Sequence, residues 1–108
     1  MFALEPGRAG PNLTALGRAL PRPRAVLVVS PHWMTHTLQV GLSEQPETIH
    51  DFGGFPEPLY RLQYPAPGAP ALAARALTVL QAAGWQVGAN PAQGLDHGTW
   101  VPLMHLYP

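Results

Sequence analysis

Ala25-Val26-Leu27-Val28-Val29-Ser30-Pro31-His32-Trp33 is the stretch on which the fold turns. Its first six residues form an unbroken, largely β-branched apolar run with no polar alternation, the pattern of a strand covered on both faces in a largely parallel sheet. Pro31 ends the run and puts His32 at the strand's carboxyl end, where open α/β sheets gather their ligands. His32 is therefore the leading candidate for a metal ligand. The alternative reading of the residue itself is a histidine satisfied by a backbone carbonyl at a strand end.

Working outward, Asn12 is placed to cap a short helix through Leu13, Leu16 and Leu20, which Pro21 and Pro23 stop. After the run, a weaker strand is expected over residues 38–42, followed by a Pro-, Gly- and aromatic-rich loop over 43–70, a length usually associated with function or disorder. Pro70 suits a first helical position. Leu72, Ala76, Val79, Leu80 and Ala83 follow at helical spacing until Gly84 stops the helix. A short strand over 85–88, a loop over 91–98 and a helix from Thr99 to Leu106 complete the pattern. This order predicts an α/β fold: a central, largely parallel or mixed sheet flanked by helices, incomplete within these residues because the pattern is still running at Pro108.

Composition narrows the function. At 108 residues the chain has the size of one domain, and 46% hydrophobic against 11% charged residues describes a globular protein. Six arginines balance six acidic residues, and there is no lysine, so no basic stripe invites nucleic acid or an anionic membrane. With no cysteine, any metal must be held by histidine or carboxylate. Glu5, Pro6 and Gly7 interrupt the segment where a signal peptide needs an apolar core, and a cytoplasmic location is expected.

Two further segments carry candidate chemistry. In Leu95-Asp96-His97-Gly98-Thr99-Trp100, His97 sits just ahead of a helix with Asp96 beside it, and Gly98 permits close approach; an imidazole there can shuttle protons near neutral pH. The competing reading is ordinary capping by Asp96 or Thr99, with His97 filling the turn. Ile49-His50-Asp51-Phe52-Gly53-Gly54-Phe55-Pro56 sets a His-Asp pair among aromatics and glycines, and so makes His50 and Asp51 candidates for a loop lining a planar substrate. A packed turn anchored by its phenylalanines is the alternative. His32 and His36 have the i, i+4 spacing of a helical zinc pair, but they follow a strand and no Glu succeeds His32, which excludes that motif. His105 is read as structural or exposed.

Taken together and in order, Leu20-Pro21-Arg22-Pro23, Ser30-Pro31-His32-Trp33, residues 48–56, Tyr64-Pro65-Ala66-Pro67-Gly68 and residues 95–100 resemble the LigB-type extradiol ring-cleaving dioxygenases, in particular their DOPA dioxygenase-like branch. The resemblance runs from about Leu20 to Pro108. It implies a non-haem Fe(II) centre, with zinc possible in its place, open to a catecholic substrate and O2. Under it His32 corresponds to a metal histidine and His97 to a histidine of proton transfer or substrate contact. Members of that family usually open with a strand into His-Gly-Ser-Pro, which supplies another metal histidine, and run to more than twice this length. Residues 1–108 are accordingly expected to be the N-terminal portion of a single catalytic domain, inactive alone. The competing class is a non-enzymatic remnant, or a small metal-binding domain using His32 and His97.

Overall fold

The computed structural model describes residues 3–5 and 7–108. In chain order the elements are α1 (Ala9–Ala19), β1 (Leu38–Gly41), α2 (Glu57–Arg61), α3 (Pro70–Ala82), β2 (Val87–Asn90) and α4 (His97–Leu106). The architecture is mixed α/β, built on a two-stranded parallel sheet in which Leu38 faces Val87 and Gly41 faces Asn90. Pairing continues past the strands: Leu42 N–H donates to the Asn90 carbonyl at 2.8 Å, and an isolated parallel bridge joins Thr48 to Leu95. Side-chain oxygen Oδ1 of Asn90 accepts the amides of Ala92 and Gln93, both at 3.0 Å, and turns the chain between those two stretches.

α3 forms where Pro70 and the apolar spacing predict. Its end is fixed by Gly84 at φ +96°, with the Trp85 amide on the Leu80 carbonyl and the Gly84 amide on the Gln81 carbonyl, the paired bonds of a left-handed C-terminal cap. The face turned to the sheet is shifted from the expected stripe, however. Ala73, Ala76, Leu77 and Leu80 are half-buried, whereas Leu72 and Val79 are exposed. β2 also begins two residues later than expected, leaving Trp85 outside it and exposed.

α1 starts before Asn12, because Pro11 falls in the first helical turn, where a missing N–H costs nothing; Arg8 is the N-cap. The leucine face is not its packing face. Gly10 is buried, Thr14 donates to the His105 carbonyl at 3.0 Å, and a Cβ on Gly17 would lie 1.9 Å from the Leu106 carbonyl oxygen. Small side chains at positions 10, 14 and 17 thus let α1 approach α4 backbone to backbone, while Leu16 and Leu20 stay exposed.

The largest departure lies at residues 25–30, which form no strand. Leu27 is 83% and Val29 92% exposed. A β-branched run favours extended backbone, but a strand exists only where a neighbour supplies a ladder, and among the described residues none lies alongside this one.

The core consists of Leu59, Trp100 and Val101, with Phe52, Leu62, Tyr64, Leu95 and Met104 packed against it. Residues 43–69, far from being slack, are tied down at several points. Trp100 Nε1 donates to the Ile49 carbonyl at 2.8 Å, the Tyr64 amide to Thr48 Oγ1 at 2.8 Å and the Tyr64 hydroxyl to the Tyr107 carbonyl at 2.6 Å. Burial pushes the Tyr64 phenol above its ordinary value, against a weaker opposing pull from Arg22, so it remains a donor.

Candidate functional site

Three distant segments converge at one place. The first is the turn Ser30-Pro31-His32-Trp33, closed by the Trp33 amide on the Ser30 carbonyl at 3.3 Å, with Pro31 fixing the backbone torsion just before His32. The second is the start of α4, where Asp96 is the N-cap and His97 the first helical residue. The third is Asp51 of the long loop. The His32 and His97 rings lie with centroids 4.0 Å apart and planes tilted by 36°.

Asp51 grips His97 twice. Its Oδ1 accepts the His97 backbone amide at 2.9 Å, and its Oδ2 lies 2.9 Å from ring atom Nδ1. The second contact is close but falls outside hydrogen-bond geometry. A carboxylate at Nδ1 favours the tautomer with its proton there and leaves Nε2 as the basic atom. Burial by itself would raise the Asp51 carboxyl, but the His97 amide and imidazole outweigh it and hold the group below the ordinary carboxylate value. Phe52 closes one side, its ring edge-on to His97 at 5.7 Å between centroids.

The lowered Asp51 value carries a sign. A carboxyl depressed in the folded state contributes stability that is present above its unfolded pKa and is lost as pH falls through the folded value. In the full-length protein, Asp51→Asn should therefore be less stable than the wild type at neutral pH, and the two urea midpoints should converge in acid. A gap that stays constant into acid would show that the charge of Asp51 contributes nothing.

The other candidates lie elsewhere. His50 sits behind the site, its Nε2 2.8 Å from the Leu62 carbonyl and its ring against Phe52, Tyr60 and Trp100. His36 is exposed. Asp96 occupies the N-cap position but makes no capping bond with its side chain; its Oδ1 accepts the Ser30 hydroxyl at 2.6 Å. Sequence reading missed that Ser30–Asp96 pair. The available signal was a serine ending an otherwise apolar run, which needs a polar partner wherever it is enclosed.

The donor types here, imidazole and carboxylate, suit a divalent iron or zinc ion. Their number does not: among the described residues no group of three His, Asp or Glu side chains is placed to hold a metal. His32 offers one imidazole, while His97 is engaged by Asp51 and Asp96 by Ser30. These residues fit part of a metal centre, not a whole one.

Comparison with known proteins gives the family. The chain is 50% identical over 93 residues to a protein of Escherichia coli named 4,5-DOPA dioxygenase extradiol, a match covering 86% of this chain and 34% of the relative. Proteins of the same name from Mirabilis jalapa and Beta vulgaris are 44% and 47% identical, each over 81% of this chain and 33% of their own length. The chain thus spans about a third of the length of these curated relatives. Residues 12–108 match the family described as the catalytic LigB subunit of aromatic ring-opening dioxygenase, the one that the five linked segments resemble. The chain belongs to the LigB family.

Proposed function

We propose that the protein containing this segment is an extradiol ring-opening dioxygenase, cleaving a catechol-type substrate with O2 at a non-haem Fe(II) centre, with zinc as the alternative metal. In this reading His32 is one metal ligand, and the remaining ligands come from outside residues 1–108. The observation that carries it is the meeting of the His32 and His97 rings at 4.0 Å, with Asp51 behind His97. LigB dioxygenases as a family are metal-dependent, and the relatives' names supply the substrate class.

Ring opening requires a catechol hydroxyl to give up its proton, and later steps return protons to the product. His97, oriented by Asp51 at Nδ1, presents Nε2 for that exchange. Phe52 provides an apolar wall beside it, against which a planar ring can lie. Asp51 thus acts through His97, and His50 supports the loop through its bond to Leu62.

The decisive experiment is oxygen uptake with a panel of catechols by the full-length protein, loaded anaerobically with Fe(II). Saturable, catechol-dependent uptake is expected, and its absence across the panel would remove the reading. Within that assay, His97→Gln should leave metal content nearly intact and slow turnover by about a hundredfold or more, the scale of lost acid-base catalysis. Unchanged turnover would reduce His97 to a turn-filling residue.

A further inference from the structure

Serine 30 has two engagements at the His32 turn. Its hydroxyl donates to Asp96 Oδ1 at 2.6 Å, and the same oxygen accepts the His32 backbone amide at 3.2 Å. Asp96 is only 5% exposed and stands at the N-cap of α4, where an aspartate ordinarily accepts a hydrogen bond from the first amides of its own helix. It forgoes that contact, and its carboxylate reaches across to Ser30. The result is a two-bond bridge from the backbone of His32, through one hydroxyl, to the residue immediately before His97.

Gly98 completes the arrangement. A Cβ built there would lie 2.5 Å from His32 Cδ2, 2.8 Å from Ser30 Oγ and 3.0 Å from Asp96 Oδ1. Two of these neighbours are the atoms of the Ser30–Asp96 hydrogen bond, and the tightest is the His32 imidazole ring. The glycine is therefore not needed for an unusual backbone torsion, since φ is positive only at Gly7, Gly54 and Gly84 among the described residues. It is needed for the space that the His32 ring fills.

We propose that Ser30, Asp96 and Gly98 are positioning residues, the Ser30–Asp96 hydrogen bond tying the His32 turn to the start of α4 and Gly98 leaving room for the His32 imidazole to seat against His97. The hydroxyl bridge sets the height of the turn over the helix, and the absent Cβ sets how closely the ring approaches. A displacement of the order of 1 Å at a reacting centre costs about a hundredfold in rate, so a seat of this kind bears directly on turnover. This last consequence rests on the dioxygenase reading; the geometric one does not.

The test uses the full-length protein with ring-labelled histidine. In the metal-free wild type, rings 4.0 Å apart should give a nuclear Overhauser cross-peak between the His32 and His97 ring protons. Ser30→Ala and Gly98→Ala should each lose it, and Ser30→Thr, which keeps the hydroxyl, should recover it. In the oxygen-uptake assay kcat should fall about a hundredfold in the first two variants and recover largely in the third. Should Ser30→Ala fail to fold, Ser30→Cys, which keeps the volume but donates weakly, takes its place, with circular dichroism as the check on folding. A wild-type cross-peak in either folded variant overturns the proposal, as does a lost cross-peak with unchanged turnover. A wild type without catechol-dependent uptake would remove the dioxygenase reading instead and leave the ring comparison to decide the seat.

Discussion

Replacing His32 by alanine in the full-length protein is expected to abolish stoichiometric metal binding, taking Fe(II) content from a full equivalent to background and turnover with it. The reasoning starts from ligand number. Divalent iron held by imidazole and carboxylate with open positions for substrate and O2 relies on few protein donors, so the loss of one removes both affinity and geometry. It continues with placement: His32 follows a proline in a closed turn, its amide is held by Ser30, and its ring lies against that of His97. His36, four residues on and exposed, is the control: His36→Ala should keep its metal. Retention of a full equivalent of iron by folded His32→Ala would sink the assignment.

How much of this was legible beforehand depends on what each residue needs. α3 was readable because its signals are local: a proline at its start, a glycine with positive φ at its end, and an apolar spacing between them. β1 lies within the weaker strand expected over residues 38–42. The packing face of α1 was not, because three leucines outweigh Gly10, Thr14 and Gly17 in any hydropathy count, although the small residues are what admit α4. Residues 25–30 show the limit most sharply. Their composition states what they would do beside other strands, and nothing local states whether such strands are present.

The site divides along the same line. His32, His97 and Asp51 could be picked out singly, from a strand-end position, a glycine-flanked helix start and a His-Asp pair, but their convergence depends on contacts across more than half the sequence. In the sequence Gly98 reads as a point of close approach to the backbone. It is room for a side chain of the same protein. Of the two capping candidates, Asp96 and Thr99, Asp96 holds the N-cap position, but its side chain makes no capping bond and its Oδ1 accepts the Ser30 hydroxyl instead.

The isolated 108-residue chain is expected to be poorly soluble or molten, with no catechol dioxygenase activity above that of free iron. A folded monomer of this mass should expose about 5,800 Å²; this chain exposes 7566 Å². Its radius of gyration is 14.9 Å, against about 13 Å for a compact domain of this length. Apolar surface is left uncovered as well: Leu27, Val29 and Met34 are more than four-fifths exposed, beside a fully buried apolar core of Leu59, Trp100 and Val101 among the described residues. A sheet of two strands is marginal by itself, and an unpaired apolar run is an established route to association. Activity fails for a separate reason, since His32 alone cannot hold iron in a defined arrangement, whatever His97 contributes. Near-UV circular dichroism and oxygen uptake on the purified chain examine the two claims independently. A monomer with sharp near-UV bands would refute the first. Saturable, catechol-dependent oxygen consumption would refute the second, and would require the metal ligands to be sought among residues 1–108 after all.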